Sequence, residues 1–138
     1  MSTGTMSSRP IQVVAALLVD RRGHALMVRK RGTTAFMQPG GKLEPGEDAL
    51  DGLRRELREE LGLELAAERF EPLGVFEADA ANEPGRRVRA TVWRALLHDR
   101  DAYRAAAEIE EARWVDPAAP GDVTLAPLSS RALLPLLG

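Results

Sequence analysis

The chain contains no cysteine. That absence excludes a disulfide scaffold, a thiolate zinc site and a cysteine nucleophile, and it favours a reducing, cytoplasmic compartment. Aromatic residues are scarce, at 4%, so a place in the core is the first expectation for each. Long apolar runs are missing as well. The longest, Val13 to Val19, falls far short of the roughly 20 residues a membrane span needs. Neither sign of charge dominates: 19 Lys and Arg against 21 Asp and Glu leave a net charge of −2 and a pI near 5.7. No sequence-wide positive field is therefore available to hold a polynucleotide backbone. Polynucleotide and membrane partners are both disfavoured.

What is present is the profile of one globular domain: 138 residues, 44% apolar and 29% charged. A chain of this length hides about two thirds of its unfolded surface without disulfides or a structural metal. No internal repeat or long linker divides it. Residues Met1 to Ser8 are small and polar, without the basic start and apolar stretch of a leader. A disordered tail over 1–10 and a single domain over 11–138 are expected.

Along the chain, Ile11 to Val19 and His24 to Val28 are β-prone runs around the turn Asp20-Arg21-Arg22-Gly23, which predicts a hairpin. A loop then reaches Pro39-Gly40-Gly41, a breaker cluster where bare backbone is needed. Glu44-Pro45-Gly46-Glu47 is a turn signal ahead of a helix predicted from about Glu47 to Leu61 and stopped by Gly62. Gly52 inside that helix is read as tolerated rather than required. Phe70 to Ala78 and Arg87 to Leu97 predict a second hairpin, Ala112 to Val115 a last short strand, and Ser129 to Leu136 a closing helix limited by Pro135. Ser129 suits a capping role there better than nucleophilic catalysis. His24 and His98 make no metal or triad spacing and receive no role.

The central helix has two surfaces. Leu50, Leu53, Leu57 and Leu61 recur at helical spacing and form an apolar stripe. Glu56, Glu59 and Glu60 are also helical neighbours, and with Leu50 at zero they fall at roughly 240°, 180° and 280°. The carboxylates are thus expected to crowd together on an opposite, solvent-accessible side. Like charges at this spacing are mildly unfavourable unless a cation joins them. Arg54, Arg55 and Arg58 could supply it as a salt-bridged surface. Alternatively, oxygen donors converging from one face suit Mg2+ or Mn2+.

The string from Gly41 to Leu63, GKLEPGEDALDGLRRELREELGL, extends the pattern well beyond the acidic patch. Gly41, five residues, Glu47, seven residues, then Arg55-Glu56-Leu57-Arg58-Glu59-Glu60-Leu61-Gly62-Leu63 resembles the Nudix box at every defined position. At background residue frequencies a chance match somewhere in the chain has a probability on the order of 10⁻⁷. The resemblance implies an α/β/α sandwich with a mixed β-sheet, in which the box helix carries a metal site. It implies hydrolysis of a nucleoside diphosphate linked to another group, by water attack on the pyrophosphate.

Carried over residue by residue, the resemblance gives Glu56, Glu59 and Glu60 as metal ligands, joined by the Gly40 carbonyl. Glu56 doubles as a candidate base. Arg55 pairs with a box glutamate and fixes its rotamer, and Glu47 is similarly structural. A further carboxylate from outside the box completes the metal site, with Glu108, Glu110 and Glu111 available and Glu108 favoured. From the residues themselves, Lys42, Arg29 or Arg31 could meet phosphate oxygens. Phe36 could stack on a ring, although the core is its other reading. Trp93 and Trp114 are assigned to the core.

The resemblance also implies Mg2+ or Mn2+ as cofactor, a small-molecule nucleotide as partner and a possible homodimer. Relatives that act on ADP-ribose carry a proline past the box, and this chain has none between Pro72 and Pro84. Relatives that act on dinucleoside polyphosphates carry a tyrosine in that region, whereas the one tyrosine here is Tyr103. A nucleoside triphosphate or modified nucleotide is left as the favoured substrate. The alternative is a catalytically silent sensor of a nucleotide ligand on the same fold, which commonly has lost box glutamates. All are present here.

Overall fold

A computed structural model describes residues 9–81 and 83–137. Residues 1–8 of the expected tail over 1–10, Asn82 within the expected second turn, and Gly138 lie outside the described residues. Arg9 and Pro10 carry no regular structure.

The strand β1 (Ile11–Val19) is the centre of the molecule. Its residues from Val14 to Val19 are all buried, as expected for a strand covered on both faces. The strand β2 (Ala25–Lys30) follows as its antiparallel partner, joined at Val19↔Ala25. After the two-residue β3 (Ala35–Phe36), β4 (Gly40–Lys42) returns to pair antiparallel with the other end of β1, Ala15↔Gly40 through Val13↔Lys42. One flank of β1 is therefore shared by two strands. The strands β5 (Glu71–Asp79) and β6 (Arg87–Leu96) form the second hairpin, and β6 runs parallel to β1 along its other flank. The edge strand β7 (Ile109–Val115) pairs with β2, which completes the order β5-β6-β1-β2-β7. A small parallel pair joins β3 to β8 (Thr124–Leu125).

The helix α1 (Ala49–Leu61) packs one face of this sheet. Leu53, Leu57 and Leu61 meet Val14, Ala16 and Leu18 of β1 and Leu26 and Val28 of β2. The alternate residues Ala15, Leu17, Val19, Ala25 and Met27 point to the opposite face, where Leu128, Leu133 and Leu134 of the C-terminal segment cover them. The result is the expected three-layer α/β/α sandwich around a mixed sheet.

Boundaries differ from expectation in places with identifiable causes. The helix begins at Ala49 rather than Glu47, because Asp48 is the N-cap, its carboxylate accepting the Asp51 N–H at 3.2 Å. Glu47 stays outside and accepts the Glu44 N–H at 2.9 Å. Gly62 closes the helix in the left-handed region, φ +60°. The strand expected from Ala112 starts at Ile109. Glu110 and Glu111 hid its beginning, since an edge strand can carry charge on its outer positions. The C-terminal helix is a wide π-type segment, Leu128–Leu133, followed by a tight 3₁₀ turn, Leu134–Leu136. Pro135 lacks the N–H that a regular continuation requires. Strands β3 and β8, two residues each, left no periodic trace.

Gly52 is buried, and the tips of the Leu43 and Glu47 side chains lie over it, Glu47 Oε1 coming within 2.9 Å of where a Cβ would be. The missing side chain lets the loop before the helix lie directly against α1.

Candidate active site

Where β1 parts from β2 and takes up β4, a cleft of about 420 Å³ opens. Its volume lies within the range of small-ligand sites. Glu56 and Glu60 of α1, Lys30 at the end of β2, Gly40 and Gly41 of β4, and Glu108 just before β7 line one part of it. Residues far apart in the chain thus meet because three strands and a helix end at the same place.

Glu60 is only 3% exposed, which corrects the expectation of an accessible acidic face. On the helical wheel it lies about 20° from Leu53, at the border of the apolar stripe rather than across from it. Its Oε1 accepts the Gly40 N–H at 3.2 Å, tying the helix to the loop that opens the box. Burial is the main force that pushes its proton affinity up, to about 8. The nearby Glu56 and Glu108 charges push the same way, while the Gly40 N–H and Lys30 oppose.

Glu56 is likewise raised, first by burial and then by Glu59, against the lowering effect of Arg55. A Cβ on Gly41 would sit 2.6 Å from the Glu56 carboxylate. Glycine there leaves that group its space without a shift of the Glu56 side chain.

Arg55 organises the outer rim. It donates to Glu47 from Nε at 2.7 Å and from Nη2 at 2.9 Å, and from Nη1 to Glu56 at 3.2 Å and Glu59 at 3.3 Å. The Arg55 hydrogen bonds hold Glu47 down at about 2. Glu59 is more exposed than its two partners, with 54% of its side chain open, and does not line the cleft.

Among the described residues no three carboxylate or imidazole groups close tightly enough to enclose an ion. The Arg55 guanidinium fills the space between Glu56 and Glu59. The donor chemistry nonetheless fits a hard divalent cation: carboxylates crowd a poorly solvated site in which protons bind more readily than they should.

The other expected residues separate. Of the three acidic candidates outside the box, Glu108 lines the cleft. Glu110 instead pairs with Arg31 at 3.6 Å, and Glu111 with Arg113 at 2.6 Å. Lys42 lines the cleft and faces Glu83 at 4.0 Å. Arg31 lies outside it, as does Arg29, whose Nη1 donates to the Thr33 carbonyl at 2.8 Å. Phe36 is 5% exposed in the core beneath Arg29 and Arg113, away from the cleft.

Three cleft residues carried no sequence signal. Lys30 lies 3.6 Å from Glu108 and is the strand's last residue, indistinguishable in sequence from surface charge. Gln38 and Ser129 form a buried pair, and the expected Ser129 cap is not made. Only the return of the C-terminal segment to β4 brings them together.

A protein-family model, the NUDIX domain, matches residues 9–137. The chain belongs to the Nudix hydrolase family. This Nudix chain is 33% identical over 78 residues to the m7GpppN-mRNA hydrolase NUDT17 of Bos taurus, covering 51% of this chain and 26% of that protein. It is 34% identical over 82 residues to a cleavage and polyadenylation specificity factor subunit 5 of Dictyostelium discoideum, covering 59% and 36%. The chain therefore spans well under half the length of these curated relatives. Among solved structures, a MutT NUDIX hydrolase of Burkholderia pseudomallei superposes with a TM-score of 0.72 at 25% identity, over 93% of this chain and 98% of that one. The E. coli ORF135 protein gives 0.66 at 28% identity, over 96% and 89%.

The Nudix site carries a pH signature of its own. Because the folded Glu60 binds its proton more tightly than an unfolded glutamate, this group stabilises the metal-free protein fully below about pH 4.5. That contribution is lost as pH rises through about 8. Each unit of that shift is worth about 1.4 kcal/mol. Melting in EDTA is expected to show Tm falling across this window, with Glu60→Gln flattening the profile and Mg2+ restoring wild-type Tm at the alkaline end. A wild-type profile as flat as the variant's would contradict the placement of Glu60.

Proposed function

We propose that this Nudix domain is a metal-dependent pyrophosphohydrolase that cleaves a nucleoside diphosphate linked to another group, with a nucleoside triphosphate or modified nucleotide as substrate. The observation that carries the reading is the meeting of Glu56 and Glu60 of the helix with Glu108, from before β7, around Gly40 in one cleft. The family, and relatives named as hydrolases, support it.

In this reading Glu56, Glu59, Glu60, Glu108 and the Gly40 carbonyl hold Mg2+ or Mn2+. Bound there, the ion neutralises charge on the pyrophosphate and its leaving oxygen and favours the hydroxide form of water. Glu59, now bonded to Arg55 at 3.3 Å, would be the ligand nearest the rim. Glu56, half-buried and with raised proton affinity, takes the proton from the attacking water. Arg55 positions Glu56 rather than touching substrate, since Glu47 fixes its guanidinium by two bonds. Lys30 and Lys42 are the cations facing the cleft and meet the non-bridging phosphate oxygens. The absence of cysteine and the small-molecule substrate fit a cytoplasmic role.

The test is a release assay over nucleoside triphosphates, ADP-ribose, dinucleotides and sugar nucleotides, with coupled pyrophosphatase or phosphatase, in Mg2+, Mn2+ and EDTA. Turnover with either metal and none in EDTA is expected. Ligand-induced thermal stabilisation without turnover across the whole panel would favour a silent sensor instead.

A further inference from the structure

The cleft is lined by more than the box carboxylates and lysines. Its walls also include the apolar side chains of Val13, Val88, Ala126 and Leu128, and one buried polar pair, Gln38 and Ser129. Gln38 is 6% exposed and Ser129 fully buried. The Ser129 hydroxyl donates to Oε1 of the Gln38 carboxamide at 2.5 Å. Its Nε2 is then left to the Met27 sulfur at 3.3 Å. A thioether is a weak acceptor, and a carboxamide nitrogen has two N–H groups to satisfy. The described residues give this amide nothing better. A buried donor so poorly partnered costs free energy unless something else completes it.

We propose that Gln38 is the specificity-determining residue of this cleft, donating from Nε2 to an acceptor on the edge of a flat heterocyclic ring, with Ser129 as the positioning residue that holds the amide in that orientation. The proposal rests on the hydrolase reading for the diphosphate that carries the ring. Only Pro39 separates Gln38 from Gly40, and two residues of extended chain span about 7 Å. A diphosphate at Gly40 and Glu60 thus leaves the length of one linking group before the amide.

The same walls disfavour other occupants. Each cation lining the cleft faces a carboxylate, Lys30 with Glu108 at 3.6 Å and Lys42 with Glu83 at 4.0 Å. With both lysines given to the diphosphate, a further phosphate would find no cation among the described lining residues. A sugar alone would bring several hydroxyls to a wall that offers one donor. A ring with apolar faces and one acceptor on its edge matches both the wall and the donor.

The experiment titrates α,β-methylene analogues of ATP, GTP, CTP and UTP, and an abasic ribose triphosphate, into the wild-type protein, Gln38→Met and Ser129→Ala with Mg2+, by calorimetry. Gln38→Met keeps the volume while removing the amide, and thermal melts check that both variants fold. The wild type is expected to prefer one or two rings by about tenfold or more, the value of one hydrogen bond to a buried donor. In Gln38→Met that preference collapses while abasic affinity stays within about twofold; in Ser129→Ala the preferred ring weakens and the abasic ligand does not.

The proposal is overturned if the wild type binds none of the four rings or binds all of them no better than the abasic ligand. It is equally overturned if Gln38→Met retains the wild-type order or weakens every ligand alike. A wild type that shows the Gln38-dependent preference but turns over nothing in the full release panel overturns the hydrolase reading and upholds Gln38.

Discussion

Replacing Glu56 by glutamine is expected to lower turnover by at least two orders of magnitude while the fold survives. The substitution keeps the shape of a half-buried side chain but removes its charge, and with it both a metal ligand and the proposed base. Losing one preorganised electrostatic contact of this kind typically costs about 10²–10³ in rate. Stability should move the other way. Burial and Glu59 already disfavour the Glu56 anion, so the glutamine variant in EDTA should melt no lower than the wild type at neutral pH. Arg55 keeps its two bonds to Glu47, at 2.7 and 2.9 Å, which limits disturbance of the rim. Glu59→Gln, in a more exposed place, is also expected to lose about 10² in rate if the residue holds metal. Steady-state rates with Mg2+ and a melt of each variant decide the matter. Activity within tenfold of wild type in Glu56→Gln would remove that residue from the chemistry.

The largest expected loss of stability comes from Leu57→Ala. Leu57 is 1% exposed and lies between Leu53 and Leu61 on the stripe that α1 presses against β1 and β2. Truncating a buried leucine costs roughly 2–5 kcal/mol, through lost transfer energy and the cavity left behind. For a domain of this size that corresponds to a fall in Tm on the order of 10 °C. The effect should reach activity only through the folded fraction, because Leu57 faces away from the cleft. Denaturant titration beside an activity assay separates the two. An unchanged midpoint would mean that the helix does not dock through this face.

Much of this was legible in the chain because it was written locally. The 3.6-residue stripe of Leu53, Leu57 and Leu61, the Gly62 stop, and the Gly41–Glu47–Arg55 spacing of the box are all short-range patterns. So are the hairpins, whose turns and alternating runs lie within one stretch of sequence. The carboxylate cluster could be listed from the same helix. Its environment could not be read there, since the wheel gives an angle and not a neighbour. Glu60 looked accessible until β4 supplied the Gly40 N–H that meets it in the interior. Nothing near Gly52 in sequence showed that the tips of Leu43 and Glu47 lie over it.

The sequence by itself determined the elements, the family signature and which residue types were available for metal chemistry, because helix periodicity, capping and turn formation depend on neighbours within a few residues. Tertiary structure decided which of those residues share a cleft. Glu108 was favoured among three carboxylates but not set apart by any local feature until β7 paired with β2 and turned Glu110 and Glu111 toward arginines. Lys30, Gln38 and Ser129 had no local mark at all. Gln38 and Ser129 are separated by 91 positions, and a contact across such a distance exists only once the C-terminal segment has closed over the second face of the sheet. A pair of that kind is fixed by the burial of Leu128, Leu133 and Leu134 on the far side of the core, a global packing event that no short window of sequence contains.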